Sequence, residues 1–143
     1  MVTKDAGVGS RLVREVMSHA PKTLGRNDQL TIADDVMGAA RIRHLPVLDE
    51  DGKLCGILSQ RDMFRGALAA ALGYGTAAQR KMLAMLVVKE VMTTDVVTIR
   101  PDASLAEAAK LMLERRVGCL PVVEGGGLVG ILTESDFVAL VAG

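Results

Sequence analysis

Aromatic side chains are nearly missing from this chain. Of its 143 residues none is tryptophan, one is tyrosine (Tyr74) and two are phenylalanine (Phe64 and Phe137). Platforms for single-stranded nucleic acid stack bases on aromatic faces, and this sequence has almost none to offer. An excess charge of either sign is missing too. Seventeen Lys and Arg balance seventeen Asp and Glu, so the chain exerts no long-range pull on DNA or an acidic membrane. Soft metal ligands are few. Cys55 and Cys119 belong to no C-x-x-C pair, His19 and His44 complete the set, and no two of the four have the spacing of a structural metal site. Long apolar runs are absent as well. The longest, around Ala67–Leu72 and Leu83–Val88, fall short of the roughly 20 residues that cross a bilayer. Met1–Ser10 is polar and carries no apolar signal core. The expectation is a cytoplasmic protein with free thiols, no metal, no membrane insertion and no nucleic-acid partner.

What is present is enough to build a core. Half of the residues are hydrophobic and 24% are charged, an ordinary balance for a globular domain. A chain of this length buries roughly 70% of its unfolded surface without help from a metal or disulfide. Eight methionines suit irregular apolar gaps.

Internal repetition is the strongest signal. Val13-Arg14-Glu15-Val16-Met17-Ser18 returns as Val88-Lys89-Glu90-Val91-Met92-Thr93, an offset of 75. Leu45-Pro46-Val47 returns as Leu120-Pro121-Val122 at the same offset, and Gly56-Ile57-Leu58-Ser59 as Gly130-Ile131-Leu132-Thr133 at 74. The lost residue falls between Asp49–Lys53 and Glu124–Gly127, turn sequences that tolerate a change of length. Each copy reads β-α-β-β-α. Short strands are expected at Lys22–Leu24 and Val96–Ile99. Helical stripes follow, at Leu30, Ala33, Met37, Ala40 and at Leu105, Ala108, Ala109, Met112. Ser104 and Glu107 form a capping box before the second stripe; Asn27 or Asp28 would cap the first. Hairpins run through the two Leu-Pro-Val blocks, and closing helices open at Ser59-x-x-Asp62 and Thr133-x-x-Asp136. Pro46 and Pro121 remove ladder donors and mark edge strands, facing either solvent or a ligand.

An insert separates the copies. It is Ala-rich and helical from Met63 to Leu72, breaks at Gly73-Tyr74-Gly75, and restarts with a Thr76/Gln79 capping box. Its Met82, Leu83, Met85 and Leu86 form an apolar face for the core or for a second chain. The expected organisation is a first repeat at 11–66, a helical linker at 67–87 and a second repeat at 88–142.

The order Val91-Met92-Thr93, Asp102-Ala103-Ser104-Leu105-Ala106-Glu107-Ala108, Leu120-Pro121-Val122, Gly130-Ile131-Leu132-Thr133-Glu134-Ser135-Asp136 resembles the cystathionine-β-synthase (CBS) domain. The first copy departs at its helix start, where Gln29 and Asp34 replace the family residues. The resemblance spans about residues 11 to 141. It implies an α+β fold in which two pseudo-twofold-related repeats pack through their sheets as a stand-alone Bateman module. It also implies a non-catalytic regulatory role, energy sensing among the possibilities. An adenosine-containing ligand (AMP, ADP, ATP or S-adenosylmethionine) would bind in clefts between the repeats, and the binding event would pass to an unidentified effector. A homodimer is the family expectation.

The helix starts carry a physical reading of their own. Hydroxyl and carboxylate three residues apart satisfy orphan N–H groups. A helix start is also an anion site, and a carboxylate there can accept both hydroxyls of a ribose. The family uses these residues for phosphate and ribose. Carried over by motif position, one cleft would draw on Met17, Lys22, Ile42, Arg43, Ile131, Thr133 and Asp136. The other would draw on His44, Ile57, Ser59, Asp62, Met92, Val97, Val117 and Gly118. Arg41, Arg61 and Arg65 join Lys22 and Arg43 as cations for phosphate. His44 has no nucleophile or paired acid at recognisable spacing, and Gly125-Gly126-Gly127 lacks the Lys-Ser/Thr of a phosphate loop, so enzymatic function is not expected. The alternative is a structural or oligomerisation module whose clefts stay empty.

Overall fold

The computed structural model describes residues 7–70 and 76–143. In chain order its elements are α1 (Val13–Val16), β1 (Ser18–His19), β2 (Leu24–Gly25), α2 (Leu30–Ala40), β3 (His44–Leu48), β4 (Leu54–Ser59), α3 (Gln60–Ala70), α4 (Thr76–Met85), α5 (Leu105–Arg115), β5 (Cys119–Glu124), β6 (Gly127–Thr133) and α6 (Glu134–Ala142). The fold is α+β with two three-stranded sheets. The Gly73–Gly75 break lies outside the described residues, as do the side chains of the expected Thr76/Gln79 capping box.

Two compact units form. A central unit is Lys22–Val96; a split unit joins the residues up to Pro21 with Val97–Gly143. These borders do not coincide with the repeat borders. In the central unit the strand order is β2-β3-β4, parallel between β2 and β3 and antiparallel between β3 and β4. Its core gathers Leu24, Leu30, Ala33, Met37, Leu45, Val47, Leu58, Met63, Leu83 and Val88. The insert therefore supplies Leu83 to the core, with Leu86 packed against it, while Met85 stays exposed. In the split unit the order is β1-β6-β5, over a core of Val13, Met17, Ile99, Leu105, Ala108, Met112, Leu120, Val122 and Leu132.

The cause of the exchange is visible in the backbone. Val13 N–H donates to Ala103 O and Leu105 N–H to Arg11 O, both at 2.8 Å. At positions shifted by 75, Val88 N–H donates to Asp28 O at 2.8 Å and Leu30 N–H to Leu86 O at 3.0 Å. The residue two positions before each Val-Met segment thus accepts the orphan N–H at the start of a stripe helix, and the first valine of each segment is buried. Ser18 then pairs with Ile131 and Thr93 with Ile57. A Cβ on Gly130 would meet Met17 Sδ at 2.5 Å and Ser18 O at 2.9 Å, and one on Gly56 would meet Met92 Sδ at 2.5 Å and Thr93 O at 3.0 Å. Only glycine admits the crossing segment at these two positions.

Several local expectations change. Ser104 Oγ accepts Glu107 N–H at 3.1 Å, as a cap should. The first helix is different: Gln29 holds its cap position with no side-chain bond, and Asp28 turns back to accept Gly25 N–H at 2.8 Å. The strand expected at Val96–Ile99 shrinks to one parallel bridge, Ile99 with Val122. Pro46 is not on an edge, since β3 lies between β2 and β4. Pro121 has a neighbour on both sides too. Ile99 N–H donates to Pro121 O at 3.1 Å and Val123 N–H to Ile99 O at 2.9 Å, a pairing that engages the proline carbonyl and asks nothing of its missing N–H. Both stripe helices end on a left-handed arginine, Arg41 (φ 55) and Arg116 (φ 54). Ile42 and Val117 N–H return to Met37 and Met112 O, each at 3.1 Å. That turn aims the next three residues into β3 and β5.

Candidate functional site

Each unit carries one Ser/Thr-x-x-Asp helix start, delivered by the last residue of a hairpin. In the central unit Ser59 ends β4 and α3 follows at once. Ser59 Oγ accepts Asp62 N–H at 2.9 Å, so the hydroxyl does the capping. The Asp62 carboxylate stays clear of that bond and takes a long one, 3.5 Å, from the Thr93 hydroxyl. In the split unit the roles reverse. Thr133 donates its N–H to Asp136 Oδ2 at 2.8 Å and its hydroxyl to the same oxygen at 3.4 Å, so here the carboxylate caps. Ser59, Asp62, Thr133 and Asp136 are all half-buried, which leaves each pair open to a ligand.

The neighbouring strand supplies the flank. His44 lies opposite Ser59 and Cys119 opposite Thr133. Gln60 N–H donates to Arg43 O at 2.8 Å, and Glu134 N–H to Gly118 O at 3.1 Å. Within the central unit Arg43, His44, Ile57, Ser59 and Asp62 therefore lie around one helix start, with Ile42 just ahead of β3 and Met92 over Gly56; Ile42 and Arg43, expected in the cleft of Asp136, thus share a unit with Asp62. Lys22 is exposed just before β2. Within the split unit Gly118, Ile131, Thr133 and Asp136 lie around the other start, with Val117 just ahead of β5 and Met17 over Gly130; Val117 and Gly118, expected in the cleft of Asp62, thus share a unit with Asp136. Val97 is half-buried two residues ahead of the Ile99 bridge.

Four residues at these starts were not in the expected set. Glu134 and Gln60 adjoin the motif in sequence, and the charge difference between them was readable there. Thr93 reaches Asp62 only through its pairing with Ile57, a tertiary contact with no spacing signal. Cys119 is buried, and burial together with the nearby Asp136 carboxylate pushes its thiol up to about 12. Among the described residues no group of three or more His, Cys, Asp or Glu could hold a metal ion, and no helix is long and apolar enough to cross a membrane.

Two copies of one folding pattern, each bearing the same helix start, match a known family model at residues 13–68 and 88–143, that of the CBS domain. The chain belongs to the CBS domain family. It is similar to a CBS domain-containing protein of Dictyostelium discoideum, 35% identical over 130 residues and 90% of each chain. Among solved CBS-pair folds it resembles a Vibrio cholerae protein assigned to acetoin utilization, AcuB, at 41% identity and TM-score 0.74, covering 92% of this chain and 90% of that one. It also resembles the CBS domain pair of protein MJ0100, solved with 5′-methylthioadenosine and S-adenosyl-L-methionine, at 29% identity and TM-score 0.74 over 92% and 96% of the chains. Other relatives are much longer. The chain spans 25% of a homoserine O-acetyltransferase of Methanohalophilus mahii, at 31% identity, so three quarters of that enzyme lies outside the match.

Chemically, a CBS helix start of this kind offers a hydroxyl, a carboxylate and backbone N–H groups at the positive end of a helix dipole. That set has the chemistry to accept a sugar diol and an anion.

Proposed function

We propose that this chain is a non-catalytic regulatory module that binds an adenosine-containing ligand, AMP, ADP, ATP or S-adenosylmethionine, and signals to an effector protein. The observation that carries the reading is the paired helix start, Ser59 with Asp62 and Thr133 with Asp136, in a CBS pair whose relative MJ0100 was solved with two adenosyl compounds. Asp62 and Asp136 are assigned to the ribose hydroxyls, and Ser59 and Thr133 to phosphate. Met17, Ile42, Ile57, Met92, Val117 and Ile131 are assigned to the apolar walls for the base. Arg43, Lys22 and His44 are polar flank, and Gly118 and Val97 complete the lining. The working form is a cytoplasmic homodimer.

Isothermal calorimetry with the four ligands tests the reading. Asp62→Ala and Asp136→Ala each weaken one site roughly tenfold or more, the loss of charge-assisted bonds to a diol. Unchanged binding in both variants sinks the site assignment. A ligand-free assembly module is the second reading, favoured by the exposed Val138 and Val141 of α6 and Phe64 and Leu68 of α3. A thermal-shift screen separates the two. At 100 times its dissociation constant a ligand adds about 2.7 kcal/mol to the folded state, whereas an assembly module responds to protein concentration alone.

A further inference from the structure

We infer that this chain self-associates by laying the outer face of α3 from one copy, basic and apolar, on the outer face of α6 from a second copy, acidic and apolar. The inference rests on the proposed homodimer and names the two faces that meet; it is independent of adenosyl binding.

The two helices are matched elements of the two repeats, and each turns the same positions inward. Met63 of α3 is fully buried, and a Cβ on Gly66 would meet Val91 Cγ1 at 2.8 Å. The matched Phe137 and Leu140 of α6 pack on the split unit's core. The outward faces differ. On α3 the exposed Arg61, Phe64, Arg65 and Leu68 follow one another at helical spacing and form one stripe. Phe64 is 42% exposed and Leu68 48%. On α6 the exposed Glu134, Val138 and Val141 form the corresponding stripe, with Val138 at 67% and Val141 at 88%. Ser135, Ala139 and Ala142 flank it, small enough to let another helix lie close. No cation stands on α6, and Glu134 is its only exposed charge. Arg61, Arg65 and Glu134 form no ion pair among the described residues.

Charge complementarity selects the occupant. In each stripe a charge stands in the first turn and a large apolar side chain follows seven residues on, about 10 Å along the axis. Laid parallel, α3 and α6 therefore set Arg61, with Arg65 one turn on, near Glu134, and set Phe64 and Leu68 against Val138 and Val141. No pairing of either helix with its own copy does this. In parallel, α3 on α3 puts arginine on arginine, and α6 on α6 puts Glu134 on Glu134. In antiparallel, each sets its charges against the other's apolar side chains and desolvates them. An anionic membrane would suit α3 but repel Glu134. The apolar side chains supply the attraction. The charges choose the partner, since an exposed ion pair adds little affinity whereas like charges in contact are costly. Two-fold symmetry repeats the contact, because the second copy's α3 then lies on the α6 of the first.

Sedimentation velocity of the full chain over a range of concentrations tests this, with far-UV circular dichroism to check folding. The double variant Arg61→Glu/Arg65→Glu and the single variant Glu134→Arg are each expected to weaken self-association about tenfold or more. Mixed in equal amounts, the two variants are expected to associate with each other within about threefold of the natural chain's affinity for itself, because each then offers the other a basic face for an acidic one. A mixture that fails to associate, or an association indifferent to both reversals, overturns the inference and leaves the homodimer reading standing. A natural chain that stays monomeric at every concentration overturns both; co-sedimentation of that monomer with phosphatidylserine vesicles would then assign the α3 face to a membrane. Should a reversed variant fail to fold, Arg61→Gln/Arg65→Gln and Glu134→Gln take its place. Each is expected to weaken association roughly threefold, and an association unmoved by both overturns the inference.

Discussion

Cys119 sits buried in β5 opposite Thr133, and its raised thiol makes a pH prediction with a definite sign. In the unfolded chain the thiol ionises near its ordinary value of about 8.5. In the folded chain burial and Asp136 hold it protonated up to about 12. Across that window the folded state binds the extra proton, so this contribution is intact below about pH 8.5 and is lost as pH rises toward 12. The loss is at most about 1.4 kcal/mol per pH unit. Urea unfolding from pH 9 to 11 should show a steeper decline for the natural chain than for Cys119→Ala. Cys55 is raised as well, first by burial and then by Asp49. Both thiols should therefore alkylate with iodoacetamide more slowly at pH 8 than a free cysteine peptide, and Cys119 the more slowly of the two. A fast Cys119 contradicts its burial.

At the scale of the element, the crossing segments set the strictest demand. Gly130→Ala and Gly56→Ala should each cost about 1–3 kcal/mol in denaturant unfolding, because the clash includes a carbonyl oxygen that cannot swing aside. Ser104→Ala should cost about 1 kcal/mol for its lost cap, while Gln29→Ala should be near neutral. The helices and hairpins were legible because their periods are local: Leu105, Ala108 and Met112 are buried as their spacing requires. The Ser/Thr-x-x-Asp starts were legible for the same reason. The short parallel strands were legible in place but not in extent: those expected at Lys22–Leu24 and Val96–Ile99 become Leu24–Gly25 and a single bridge at Ile99, because so short a pairing is decided by its partner. The proline positions misled because the rule for edge strands assumes that every N–H of an inner strand is used, and Pro121 shows a position where it is not.

At the scale of the molecule, sequence repeat and compact unit are different partitions of the same chain. Removing the residues before Lys22 should leave the central unit's sheet intact and strip the split unit of α1 and β1. Amide exchange then gives a sharp expectation: protection falls in β6, which loses its Ser18 and His19 partners, and persists in β4, whose partners β3 and Thr93 remain. Equal loss in both strands would contradict the two-unit division.

The exchange of Val-Met segments also orders events on the ribosome. Val13, Val16 and Met17 are made before β6, so the surface that covers Val13 and Met17 is not complete until about 115 residues later. At roughly 5–20 residues per second the gap is on the order of ten seconds. Throughout that interval the central unit can finish folding, so the Val13–Met17 stretch waits for a strand made much later and is an opening for a nascent-chain chaperone.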